Sequence, residues 1–472
     1  MANRNETLVK NTLLFAVGNL GSKLLQIILV PFYTRYMAEA EFGTTDLLQA
    51  VVSLLLPVFS MTIYEAVFRY AMEKDYDKTT VLSTGFVMNT LGMAVLCICG
   101  VLVSGRMPKA YVWLVIGNTV ANSFRTLYSQ YARSVNRVRL FTLDNVLITL
   151  LVLVLNIFFI AVMHLGITGY MLGYILANLL SLLFLVLMLG KEGKIRLHSI
   201  RRATTKEMLR FSIPLIPNAI CWWLGSFTDR VMIVAMISTS ANGLYAAAHK
   251  IPSLLSMVVS IFFQAWQISA NTEFQKKDIA SFYSSIFEQI SACIFLLASL
   301  LIGFSQIINS VFLGASYESA WVYMPPLILS MTFFSFGQFL GSIYTANKKT
   351  TMAMVTNLTA VVINVILNFV LIRGFGTIGA AIATAAAYFV LWIVRMVNTR
   401  KIVPIRYRYK PLVFSCVIVI SQAIVVCLNL GPLYTYGVSL LGAGVIALLY
   451  RKTYLSLAVF GGKMLKKLLG RS

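Results

Sequence analysis

The chain has 472 residues, 59% of them hydrophobic and 12% charged, with a formal net charge of +23. Apolar runs of about twenty residues recur from end to end, which excludes a soluble globular protein and leaves no soluble stretch long enough for a separate catalytic core. Barrel-forming alternation of period two is absent, so the class is an all-α polytopic membrane protein.

Taken in order, the polar decapeptide MANRNETLVK leads into an apolar run near 12–36. That run is too long for a signal-peptide core and lacks a small-residue cleavage site after it, so it is expected to be kept as the first span. Lys23 stands at its mid-depth beside Gly18, Gly21 and Ser22, a setting suited to a cavity wall, and Pro31 breaks the run. Further spans are expected near 45–68, 80–104, 110–132, 141–163 and 168–190. Glu65 and Arg69 are four apart and can pair along one helix face. Arg125 lies within NSFRTLYSQY, deep enough to be a lumen cation, whereas Asp46 and Asp144 read as span-boundary residues. The basic segment KEGKIRLHSIRRATTKE, 191–207, is the natural link between two six-helix halves.

The stretch from Pro214 to Trp266 reads as two spans joined by a short polar turn at Ser238–Asn242. It holds Asp229, Arg230, His249 and Lys250 inside apolar text. A charge at bilayer depth costs about 3 kcal/mol on insertion scales, so such groups are expected to face protein or a watery cavity. At a rise of about 1.5 Å per residue, Arg230 and Lys250 lie roughly 10 and 12 Å below the turn, where two cations on neighbouring helices can line a lumen that receives an anion. Asp229, about 100° round the helix from Arg230, supports it or finds another helix. His249 reads as a packing or interfacial residue. Spans near 281–313, 318–346, 351–372 and 378–398 follow, the first with Glu288 toward its cytoplasmic end, and TRKIVPIRYRYK precedes two more at 410–430 and 434–455. About 14 transmembrane helices are thus expected: a first six-helix lobe over 1–190, the linker 191–207, a second six-helix lobe over 208–400, and residues 401–472 with two extra helices and a basic tail.

Placing the N-terminus in the cytoplasm puts 31 of the 39 Lys and Arg at cytoplasmic ends and only four outside. The basic excess is therefore an orientation device that meets anionic lipid, not a nucleic-acid footprint. Both termini are expected to be cytoplasmic. The halves repeat one another: Asn145 and Asn156 match Asn357 and Asn368 at an offset of 212, and Gly169-x-x-x-Gly173-x-x-x-Ala177 matches Gly379-x-x-x-Ala383-x-x-x-Ala387 at 210. The same direction of crossing in both halves makes this a parallel repeat, with the substrate path expected between the lobes. The six cysteines all sit in apolar runs and read as packing residues, not as a disulfide framework or zinc site. No phosphate loop, zinc-protease motif or nucleophile elbow occurs, so no enzyme activity, cofactor or metal is expected.

Four stretches, GSKLLQIILVPFYTRYMAEAEFG, TDRVMIVAMISTSANGLYAAAHKI, VFLGASYESAWVYMPPLILS and RGFGTIGAAIATA, resemble in order segments of the polysaccharide-type, Wzx-like oligosaccharidyl-lipid flippases. That family shares its superfamily with the lipid II flippases and the multidrug and toxin extrusion antiporters. The resemblance implies a two-lobed fold and outward translocation, by alternating access, of an oligosaccharide on a polyprenyl diphosphate or related carrier. Within it, Lys23, Arg125, Arg230 and Lys250 are the expected substrate-binding cations, with Glu65, Arg69 and Asp229 supporting them or coupling H+ or Na+. Glycosyltransferases and a polymerase of the same pathway are the expected partners. The alternatives are a cation-coupled small-molecule antiporter of the same superfamily and a membrane glycan polymerase or ligase. The outer connections are too short for the catalytic surface of the last.

Overall fold

The computed structural model describes residues 28–106, 108–273, 278–347 and 350–468. The chain divides into two compact units, Met1–Val231 and Met232–Ser472. Unit 1 begins with a helical run over 28–36. Then come α1 (Glu39–Phe59), α2 (Ile63–Met72), α3 (Lys78–Val103), α4 (Lys109–Ser134), α5 (Val138–Asn156), α6 (Gly166–Leu189), α7 (Arg202–Ser212) and most of α8 (Leu215–Met236). Unit 2 holds α9 (Thr239–Glu273), α10 (Ile279–Gly303), α11 (Ser305–Phe312), α12 (Met324–Ala346), α13 (Thr350–Phe375), α14 (Thr377–Thr399), α15 (Tyr409–Leu428), α16 (Pro432–Leu449) and α17 (Arg451–Leu468). No strand occurs among the described residues.

Ten helices in the described residues are long and apolar enough to cross a bilayer, or eleven with the bent pair Arg202–Gly225 and Phe227–Met236 taken as one span. That is fewer than the 14 expected. Most of the first expected span lies outside the described residues. The fourth is present as the 26-residue α4 but is less apolar than the others, since Asn118, Asn122, Arg125 and Gln130 interrupt it. The outward faces are apolar: α3 exposes Leu91, Val95, Ile98 and Leu102, and α13 exposes Val355, Val362, Ile366 and Phe369. Such stripes on many long helices are what lipid covers, and the chain is a multi-pass membrane protein.

The second expected span is broken. Pro57 lies in the last turn of α1, and Met61 and Thr62 take left-handed φ of 52° and 46° before α2 restarts. The α3 helix crosses this break so closely that a Cβ on Gly92 would stand 1.7 Å from the Phe59 carbonyl oxygen. Linker helix α7 docks on the same region. Thr62 Oγ1 donates to the Ser212 carbonyl at 2.6 Å, and Tyr76 donates to the Glu207 carboxylate at 2.6 Å. The negative acceptor holds the Tyr76 phenol up at about 12. Asp77 caps α3, accepting from the Thr80 hydroxyl and N–H, and these bonds hold its carboxyl below the ordinary range. Arg69 does not pair with Glu65 as expected. It pairs with Glu73 at 3.6 Å and lies over Phe211 at 4.6 Å, because α7 covers its side of α2.

In unit 2, α12 and α14 pack through aromatic rings, with Phe333 and Trp392 stacked at 5.8 Å, while Ala383 and Ala387 of the small-residue repeat are buried. The last two expected spans, α15 and α16, are clamped together by Gln422, which donates to the Ser439 carbonyl at 3.0 Å. Glu288 fixes the start of α15 and of α17 by accepting from Arg408 at 2.6 Å and Thr453 at 2.7 Å, so it is a structural acceptor rather than a plain span-end charge.

Candidate functional site

The polar content of α4 follows a helical face. Asn118, Asn122, Arg125 and Ser129 recur at spacings of four, three and four, which puts all of them on one side. That side looks into a cavity of about 490 Å³ in unit 1, walled also by α1, α5 and α6. Gln49 from α1, Asn145 and Thr149 from α5, and Tyr174 and Asn178 from α6 complete its polar lining. The carboxamides are chained: Asn178 Nδ2 donates to Asn118 Oδ1 at 3.2 Å, and Asn118 Nδ2 donates to Gln49 Oε1 at 3.3 Å. At bilayer depth this chain satisfies groups that lipid could not.

Arg125 is the charged residue in this wall. Its Nη2 meets Asp144 Oδ2 at 2.7 Å, and the side chains are 13% and 0% exposed. Nε donates to Ser181 at 3.0 Å, while Asp144 also accepts from Ser129 at 3.0 Å and from Ser181. Asp144 is therefore not a span-boundary residue. It is a buried counterion that neutralises Arg125 and joins α4, α5 and α6.

Arg230 is likewise matched. Its Nε approaches Asp46 Oδ2 at 2.8 Å, a charge contact without the alignment of a hydrogen bond, and its Cζ lies 4.8 Å from the Phe227 ring centroid. Asp46, expected as a boundary residue, thus links α1 to α8 one turn before Gln49. Asp229 is half-buried on α8 of unit 1, and His249 and Lys250 are half-buried on α9 of unit 2. Glu65 is half-buried on α2. Lys23 lies outside the described residues. The structure thus brings Arg125 to Asp144 and Arg230 to Asp46, and it does not bring Glu65 to Arg69.

The sequence reading missed the acidic partners and most of the carboxamides. The signal that could have found them is the polar face of α4, where four residues share one period. Arg395, just before the basic link TRKIVPIRYRYK, is only 5% exposed, inside unit 2. Arg395 donates to Thr356 Oγ1 at 3.0 Å, to the Gly337 carbonyl at 2.8 Å and to Asn357 Oδ1 at 2.8 Å. Thr356 and Asn357 are the repeat equivalents of Asp144 and Asn145, which Arg125 contacts. Each unit thus seats an arginine on the same pair of positions, but supplies it from α4 in unit 1 and from α14 in unit 2. Among the described residues, only the unit 1 arginine of these two has a carboxylate partner. No group of His, Cys, Asp and Glu there could hold a metal ion.

Comparison with known proteins gives three kinds of likeness. The polysaccharide biosynthesis protein profile matches residues 8–267. Protein 1 of the Lsg locus of Haemophilus influenzae is 24% identical over 263 residues, covering 54% of this chain and 63% of that protein, so the chain aligns with under two thirds of that relative. Among solved structures, the lipid II flippase MurJ in an inward closed conformation aligns over 93% of this chain and 99% of that one, with a TM-score of 0.69 and 13% identity. An inward-facing multidrug resistance MATE transporter of the MOP superfamily aligns over 82% and 98%, with a TM-score of 0.67 and 14% identity. At such identities these two structures speak to the fold alone.

Proposed function

The chain belongs to the polysaccharide biosynthesis protein family, and on that premise we propose that it carries a lipid-linked oligosaccharide, or a related cell-surface polymer unit, from the cytoplasmic to the outer leaflet of the cell membrane by alternating access. The observation that carries this reading is the cavity of unit 1. Polar side chains from four helices surround about 490 Å³ in a unit whose outside is apolar. A polar interior at bilayer depth suits a head group that crosses inside protein while its lipid tail stays in the bilayer. The fold shared with a lipid II flippase supports the same reading. The charge asymmetry favours cytoplasmic termini and a cytoplasmic segment 191–207, with the basic tail facing anionic lipid.

The sequence contains no nucleotide-hydrolysing motif, so the membrane potential is the proposed driving force, with H+ or Na+ return adding to it. Each charge moved through 100 mV is worth about 2.3 kcal/mol, and a diphosphate carrying two charges outward gains roughly 4–5 kcal/mol where the inside is negative. Cells lacking the chain are expected to accumulate lipid-linked glycan on the cytoplasmic leaflet. Liposomes holding the purified protein and that glycan are expected to flip it faster under an inside-negative valinomycin potential than at zero potential. Equal rates, with pH and Na+ fixed, would rule out the electrical contribution, and no accumulation in cells would sink the export reading.

Lys23, Arg230 and Lys250 are proposed to attract the diphosphate. Lys250→Ala is expected to lower export at near-normal protein levels, whereas Arg230→Ala, which strands the largely buried Asp46 carboxylate, is expected to lower both export and protein level. Arg230→Lys should restore export only partly, because an ammonium lacks the guanidinium fork. Normal export in all three neutral variants, Lys23→Ala included, would remove these cations from the mechanism.

A further inference from the structure

The cavity of unit 1 has a lining that anion attraction does not explain. Its polar surface is mainly carboxamide, from Gln49, Asn118, Asn122, Asn145 and Asn178. Arg125, the one cation in the described wall, is matched by Asp144 at 2.7 Å, so that wall carries no net charge. A carboxamide presents a carbonyl acceptor and an NH₂ donor together. A phosphate accepts only, and it would meet these carbonyl oxygens as repulsive neighbours. A sugar hydroxyl donates and accepts, and a carboxamide answers both functions.

The internal hydrogen bonds leave room for such a ligand. Asn118 and Asn178 fix one another and Gln49 Oε1, yet Gln49 Nε2 is buried with no partner. Asn122 accepts from Thr126 at 3.2 Å through its carbonyl, and its amide nitrogen makes no hydrogen bond among the described residues. The half-buried Asn122 amide lines the cavity with a donor to spare, and a ligand acceptor placed there gains a hydrogen bond. Phe141 and Tyr174 add ring surface to the same wall. The volume lies within the range of about 300–1,000 Å³ usual for small-ligand sites.

We infer that this cavity binds an uncharged, hydroxyl-rich sugar unit, while the anionic linkage of a lipid-linked substrate travels past the cations elsewhere. The inference rests on the export reading and specifies which part of the substrate unit 1 recognises. The test uses the purified full-length chain in nanodiscs and reads its melting temperature. The probes are glucose, galactose, mannose, rhamnose and N-acetylglucosamine, with inorganic pyrophosphate at matched ionic strength. At least one sugar is expected to raise the melting temperature. Asn122→Leu and Gln49→Leu are expected to raise the half-saturating concentration of that sugar roughly five- to tenfold, the loss of about one hydrogen bond each. Their response to pyrophosphate is expected to stay at the wild-type level. Asn122→Ala, which removes the amide without adding bulk, keeps the test usable where a leucine variant fails to fold.

The inference is overturned if pyrophosphate is the probe whose response these variants abolish, or if no sugar separates them from wild type. Cellular accumulation of lipid-linked glycan is independent of these readouts. If glycan accumulates without the chain while the variants bind no sugar differently, export stands and the sugar site falls. If sugar binding responds as expected and no glycan accumulates, the site stands and the export reading falls.

Discussion

Asp144→Ala is expected to destabilise unit 1 by about 3–5 kcal/mol, the usual loss when one partner of a buried ion pair is removed. The Asp144 carboxylate is fully buried and accepts from Arg125, Ser129 and Ser181. Without it, the guanidinium keeps Ser181 and Asn145 as neutral partners but has no carboxylate partner among the described residues. The penalty belongs to the stranded charge rather than to the pair itself. The double variant Arg125→Leu with Asp144→Leu should therefore lie much closer to wild type in stability than Asp144→Ala does. Asp144→Asn, which keeps shape and one acceptor, should fall between. Unfolding of the purified protein in mixed detergent micelles measures the order. A single Asp144→Ala variant as stable as wild type would mean that the pair is not buried as described. Export separates the roles further, since the double variant removes Arg125 from the cavity wall and is expected to transport poorly despite its stability.

Gly92→Ala is the second large effect, at or above the upper end of the roughly 1–3 kcal/mol typical of overpacking. A Cβ there would lie 1.7 Å from the Phe59 carbonyl oxygen and 2.9 Å from its carbon. The obstacle is backbone, so no side-chain rotation relieves it. The backbone it meets leads straight into Met61 and Thr62, held at φ 52° and 46° and fixed through Thr62 to the Ser212 carbonyl. Separating α3 from the break thus also disturbs the docking of α7. Gly444→Ala is the matched control: Gly444 is helical in α16, and a Cβ there meets nothing within 4 Å. It should be neutral or stabilise by up to about 1 kcal/mol through helix propensity. The contrast is read as yield of folded monomer and melting temperature, and equal behaviour of the two alanine variants would refute the close crossing.

The sequence alone determined the all-α membrane class, the position of nearly every long helix and the family. Each of these rests on local or one-dimensional signals: length of apolar runs, segment order, small residues four apart and the asymmetry of Lys and Arg. It also marked Arg125 and Arg230 as intramembrane charges, because a charge in apolar text is conspicuous wherever it points. What only the tertiary structure decided is what answers those charges. Asp144 stands 19 residues from Arg125, and Asp46 stands 184 residues from Arg230, so no helical period links either pair. Both acids sit near the ends of apolar runs, where a boundary position and a buried counterion look alike in sequence. The same holds for Arg69, which turns to Glu73 and Phe211 because a linker helix more than 130 residues away folds over it. Arg395 completes the contrast: in the sequence it stands just before a basic link, and only the packing of α12, α13 and α14 around it shows a cation held inside the protein. Burial and pairing depend on which helices meet, and that is fixed by three-dimensional packing rather than by any local pattern.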